Sequence, residues 1–184
     1  MKRHKQQSRV RERTTFVVRT RPGHRNQGLV SVEGRIFHCA LGPGGIRARK
    51  VEGDGATPLG RLILDRVLYR ADRLPRPATA MPVRPVGKRD GWCDASGDRN
   101  YNRPVSLPYP ARSETLSRDD ILYNIVIITS YNVCPRMRGR GSAIFIHIAR
   151  ERLLPTQGCI ALSTADLLQI LKVCGRRAVF DILG

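Results

Sequence analysis

The sequence is poor in acidic residues and in aromatic rings, and it has no long apolar run. Of 184 residues, 15 are Asp or Glu against 33 Lys or Arg, which leaves a net charge of +18 and a pI near 11.1. So one-sided a charge draws a chain to polyanions such as nucleic acid, anionic lipid or acidic wall polymers. Aromatics make up only 5%, so aliphatic side chains must fill most of any core. With few rings for base stacking and no recognisable nucleic-acid-binding motif, no specific nucleic acid partner is expected. No stretch approaches the roughly 18 apolar residues of a membrane helix, so no membrane span is expected. The start, MKRHKQQSRVRERTTFVVRTRPGHRNQG, has no apolar h-region and does not read as an ordinary secretory signal. There is no C-x-x-C and no H-x-x-x-H, which argues against a zinc site, and no other cofactor is implied. The cysteines are Cys39, Cys93, Cys134, Cys159 and Cys174. An odd count leaves at least one free thiol, and the spacings are not those of a small disulfide scaffold.

What is present suits one domain, with 41% hydrophobic residues to build one core. Residues 1–14 read as a basic, disordered arm carrying Lys2, Arg3, Lys5, Arg9, Arg11 and Arg13; residues 15–184 read as a single domain. TTFVVRT, GLVSVEGRIFHCALG and RLILDRVLYR are β-branched or alternating runs punctuated by Gly and Pro, which predicts strands and a hairpin. The segment ADRLPRPATAMPVRPVGKRDGWCDASGDRNYNRPVSLPYP has no period and reads as one long loop. NIVIITSYN and GSAIFIHIA carry the strongest strand patterns. In the second, Ile144, Ile146 and Ile148 share one face and Phe145, His147 and Ala149 the other; both faces are largely apolar, which predicts a central strand. Near the C-terminus the period changes. Ser163 as N-cap, Asp166 three residues on, a stripe of Leu167, Leu168, Leu171 and Cys174, and Gly175 as a stop predict a short helix. AVFDIL then supplies a last strand. The fold class is therefore mainly β, a sandwich or barrel with a short helix, and no internal repeat is visible.

The chemistry concentrates in two neighbouring segments, IFIHIA and TQGCIAL. A thiol is a poor nucleophile until it loses its proton, and a rigidly held imidazole can accept that proton. A central strand would hold His147; Gly158 removes a side chain beside Cys159; the backbone amides of Gly158 and Cys159 could stabilise an oxyanion. Taken singly, His147 could be a core histidine and Cys159 a small buried hydrophobe. The order of the two residues and their short separation match neither papain-like nor caspase-like enzymes, and G-x-S-x-G is absent.

The segment GSAIFIHIARERLLPTQGCIALS resembles the catalytic segment of the L,D-transpeptidases of the YkuD/ErfK type, with Thr156, Gly158 and Cys159 matching the Ser/Thr-x-Gly-Cys signature after a His. GDGATPLG is similar to the family's Thr-Pro-x-Gly segment, and GWCDASGDRNYNRPV to a middle region of one bacterial branch; the resemblance covers roughly residues 27–184. It implies a β-sandwich-like catalytic domain acting on peptidoglycan stem peptides in the periplasm or cell envelope, without metal or cofactor. It further implies Cys159 as the nucleophile that forms a thioester and expels D-Ala, and His147 as base and then acid. The Gly158 and Cys159 amides would form the oxyanion hole, with Thr156, Gln157 and Tyr131 at the substrate. An amine from another stem would take the acyl group. Two positions depart from the family's common pattern: Ala161 stands where Arg is frequent after the Cys, and Gln157 where His is frequent before the Gly. The alternatives are an L,D-carboxypeptidase, in which water takes the acyl group, and a non-catalytic basic protein that binds wall material or another polyanion.

Overall fold

The computed structural model describes residues 13–184. Along the chain run β1 (Arg13–Arg21), β2 (His24–Val32), β3 (Arg35–Ala40), β4 (Ile46–Arg47), β5 (Thr57–Pro58), β6 (Gly60–Tyr69) and β7 (Val83–Pro85). There follow β8 (Asp90–Cys93), β9 (Arg103–Ser106), β10 (Ser113–Thr115), β11 (Ile125–Thr129), β12 (Phe145–Ile148), β13 (Ile160–Leu162), α1 (Thr164–Val173) and β14 (Arg177–Ile182). The fold is mainly β, as the sequence predicts.

The main sheet has the order β11-β12-β13-β3-β2-β1-β14-β6-β7, and an added pairing of β11 with β6 closes it on itself. The β1–β14 and β12–β13 pairs are parallel, and β11–β12 is antiparallel. Period-two patterning drives this closure. In β1, Thr14, Phe16 and Val18 turn inward while their neighbours face out. The interior is filled mainly by Val, Ile and Leu, joined by Phe16 and Phe180 with ring centroids 4.9 Å apart, and by Leu167, Ile170 and Leu171 of α1.

A second apolar cluster lies against the other face of β11 and β12. Val126, Ile128 and Phe145 meet Leu68, Trp92, Leu116, Leu122, Tyr123 and Cys159 there. Both strands are therefore buried on both faces, and β12 is the central strand the sequence predicts. The cover is a small sheet of order β10-β8-β9. Two of its strands and β7 fall inside the Pro-rich stretch read as one loop. They are three or four residues long, too short for alternation to stand out.

The basic arm lies outside the described residues up to position 12, while Arg13 and Thr14 belong to β1. Thr14 is buried; its hydroxyl donates to the Val173 carbonyl at 2.9 Å and accepts from the Gly175 amide at 3.0 Å. That contact caps the C-terminal end of α1, so Gly175 ends the helix through a partner on β1. At the other end Ser163 Oγ accepts from the Asp166 amide at 3.1 Å, as expected of an N-cap. Cys174 completes the apolar stripe and is buried. All five cysteines are free thiols.

Candidate active site

β12 places His147 at a position opposite Val126 on one side and Ala161 on the other. Its imidazole is 7% exposed and lies edge-on to Tyr123, ring centroids 5.3 Å apart. Nδ1 sits 2.8 Å from the Ile148 carbonyl oxygen. A carbonyl can only accept, so Nδ1 carries the proton and Nε2 keeps the basic lone pair. Burial lowers the imidazole pKa to about 4, against a smaller upward pull from that carbonyl.

Cys159 immediately precedes β13 and belongs to the same apolar cluster as Phe145. Its sulfur accepts from the Phe145 amide at 3.3 Å and donates to the Ala143 carbonyl at 3.2 Å. Among the described residues no hydrogen bond joins the thiol to the imidazole. Burial, then the Glu114 carboxylate, push the thiol pKa up to about 12, opposed by the Phe145 amide and by Lys50. Burial thus disfavours the charged form of both the thiol and the imidazole.

The loop before Cys159 is fixed by Thr156. Its amide donates to the Leu41 carbonyl at 3.1 Å, its hydroxyl donates to the Cys159 carbonyl at 2.7 Å, and the same oxygen accepts from the Gly158 amide at 3.1 Å. The Gly158 amide, expected to point at an oxyanion, is therefore engaged in closing this turn. Gly158 has φ +116°, and a Cβ there would fall 2.5 Å from the Ala56 carbonyl oxygen. Both the conformation and the contact require glycine.

His147, Cys159, Thr156 and Gln157 line one cleft of about 380 Å³. Tyr131 does not: its hydroxyl donates to the Arg140 carbonyl at 2.5 Å and its ring rests against the main core. The cleft also contains residues that the sequence reading did not single out, among them Tyr123, Glu114, Arg112, Arg118 and Arg150. The Tyr123 hydroxyl donates to Glu114 Oε1 at 2.5 Å, and the Arg118 guanidinium lies 5.1 Å from the Tyr123 ring centroid. Burial raises the Glu114 pKa despite the tyrosine and Arg118, both of which favour its charge. Glu114 lies on β10 with Arg112 and Arg118 close to its ends, whereas Tyr123 precedes β11 and Arg150 follows β12. None belongs to a motif, so only the fold brings them to one cleft. No cluster suited to holding a metal ion occurs among the described residues, and no helix among them is long and apolar enough to cross a membrane.

A search of curated proteins finds no match to this chain. The family model of the L,D-transpeptidase catalytic domain (YkuD) matches residues 11–182. The chain belongs to this family, and its mainly β, closed sheet accords with that membership. It therefore has the catalytic domain of an L,D-transpeptidase-family enzyme, whose substrate class is peptidoglycan.

Proposed function

We propose that the protein is a cysteine-dependent L,D-transpeptidase that acts on tetrapeptide stems. The observation that carries this reading is the meeting of Cys159 and His147 in one cleft, in a chain of this family. In the first step the Cys159 S–H leaves the Ala143 carbonyl and passes its proton to His147 Nε2. A sulfur–carbon bond forms at the carbonyl preceding the terminal D-Ala, and the carbonyl oxygen becomes an oxyanion. With the Gly158 amide engaged by Thr156, the oxyanion is assigned to the Cys159 amide. Collapse breaks the carbon–nitrogen bond, the imidazolium returns its proton to the departing amine, and D-Ala leaves. In the second step an amine of another stem attacks the thioester carbon and loses a proton to His147. The carbon–sulfur bond breaks, and the thiolate takes the proton back.

A neutral imidazole suits this role, because only the unprotonated ring can act as base. The price of deep burial is a thiol that ionises only when the base is aligned with it. Of the residues expected at the substrate, Thr156 and Gln157 line the cleft and are proposed to contact the stem, while Tyr131 is not among its lining residues. Cleft arginines 112, 118 and 150 supply positive charge suited to stem carboxylates.

The test is incubation with a disaccharide-tetrapeptide, followed by mass spectrometry of protein and products. The expected result is a mass gain on Cys159 equal to the stem without D-Ala, then cross-linked dimer when a stem with a free amine is added. Tripeptide formation that no amine diverts would assign a carboxypeptidase instead. No adduct and no D-Ala release from folded, reduced protein would sink the catalytic reading.

A further inference from the structure

Lys50 packs against the loop that carries Cys159, at Gly158, and does not line the cleft. Its side chain is 4% exposed, and Nζ donates to Asp54 Oδ1 at 2.8 Å. Asp54 in turn accepts from the amides of Val51 and Ala56, each at 2.8 Å. Burial acts against ionisation of Asp54, but Lys50 and these amides outweigh it and hold the carboxyl below its usual range. The ammonium has three N–H bonds, and among the described residues only the one to Asp54 has a partner.

Two glycines let this lysine approach the two segments that hold the thiol. A Cβ on Gly141 would fall 2.7 Å from Lys50 Cε, and one on Gly158 would fall 3.3 Å from Nζ. The chain from Gly141 continues to Ala143, whose carbonyl receives the thiol proton; the chain from Gly158 continues to Cys159 itself. The ammonium thus sits where both segments that hold the sulfur converge.

We propose that Lys50, anchored by Asp54, is a positioning cation that stabilises negative charge on the Cys159 sulfur as the thiol gives up its proton. This rests on Cys159 being the nucleophile of the proposed reaction. The groups acting on that sulfur have opposed signs: Glu114, which lines the cleft beside Tyr123, disfavours the thiolate, and Lys50, which does not line it, favours the thiolate. His147 takes the proton without supplying a resting positive charge.

The experiment reads the thiol directly, so it stands apart from any failure of the peptide chemistry. The full chain is treated with iodoacetamide at fixed pH near 8, and labelling is located by mass spectrometry. Lys50→Met is expected to slow alkylation of Cys159 about tenfold, one pKa unit, with buried Cys39 and Cys174 still unlabelled. Lys50→Arg should keep most of the rate, and Glu114→Gln should raise it. A structural peg predicts the opposite sign for Lys50→Met, since a loosened loop exposes the sulfur. An unchanged or faster Cys159 in that variant overturns the proposal. If Lys50→Met unfolds, shown by labelling of Cys39 and Cys174, the neutral but polar Lys50→Gln decides by the same readout: slower labelling of Cys159 with the other two still protected supports the proposal, and an unchanged or faster rate overturns it.

Discussion

At the scale of single residues, the site is governed by burial. Burial moves the His147 imidazole down to about 4 and the Cys159 thiol up to about 12, so function depends on alignment more than on standing charge. Cys159→Ala should abolish acylation while leaving the fold intact, because a small side chain replaces a small one in the cluster; activity retained in that variant would remove the nucleophile from the mechanism. His147→Ala should slow thioester formation by about 10²–10⁴-fold, the usual worth of a positioned base, as read by single-turnover mass spectrometry. Gly158→Ala meets both a strained φ of +116° and the Ala56 carbonyl. It should cost at least about 1–3 kcal/mol in chemical denaturation and displace the sulfur, so that acylation falls further than stability does. An alanine variant with native stability and rate would show that the loop has room the structure does not give it. Cys159 and His147 were legible in the sequence because glycine, cysteine and a strand-borne histidine fall within one short segment. Lys50 and Glu114 were not, since each reaches the sulfur only through the fold.

At the scale of elements, the long Pro-rich stretch supplies β8 and β9 of the cover sheet and one residue of the cleft, Asp94. Its hub is Asn102, 2% exposed, whose Oδ1 accepts from Trp92 Nε1 at 2.9 Å and from the Ala143 amide at 3.0 Å. Its Nδ2 donates to the carbonyls of Tyr131 at 2.9 Å and Asn132 at 2.8 Å. The residue fixes the cover sheet to the very segment whose carbonyl holds the Cys159 proton. Asn102→Ala should cost about 3 kcal/mol, since it leaves several buried groups unpaired at about 1 kcal/mol or more each, measured by urea denaturation. Cys159 alkylation should quicken at the same time as its Ala143 partner shifts. A loss under about 0.5 kcal/mol would mean that these bonds are replaced by water. Helix α1 and strand β12 were legible because a cap and a two-faced apolar run are dense local signals. The cover sheet was not, because its strands are only three or four residues long and Asn102 ties them to segments distant in sequence.

At the scale of the whole molecule, stability should form a dome against pH. An unfolded His147 takes a proton near 6.5 that the folded site refuses until about 4, so stability falls as pH drops through that window. Cys39, Cys159 and Cys174 keep their protons to about 12 when folded, against 9.0 otherwise. Stability therefore falls again as pH rises from 9 toward 12, and Cys159→Ala should make that alkaline limb shallower in a denaturation series. A flat profile across both windows would contradict the burial assigned to these groups. The charge excess makes a separate prediction. Deleting residues 2–12 removes Lys2, Arg3, Lys5, Arg9 and Arg11, and should weaken binding to intact sacculi and its salt dependence, because salt screens the attraction between charges over about 10 Å at 0.1 M. Turnover of a small soluble muropeptide should hardly change. Extending the deletion through Thr14 should instead lower the melting temperature, since that hydroxyl caps α1. The position of β14 between β1 and β6 has a consequence for synthesis. The first strand must wait for the last, so the ring stays open on the ribosome until residue 182 has emerged. Until then β1 and β6 each present a bare edge to any other chain nearby. A chain stopped before Arg177 would therefore not be a slightly shorter enzyme but an unclosed sheet that seeks its missing strand elsewhere.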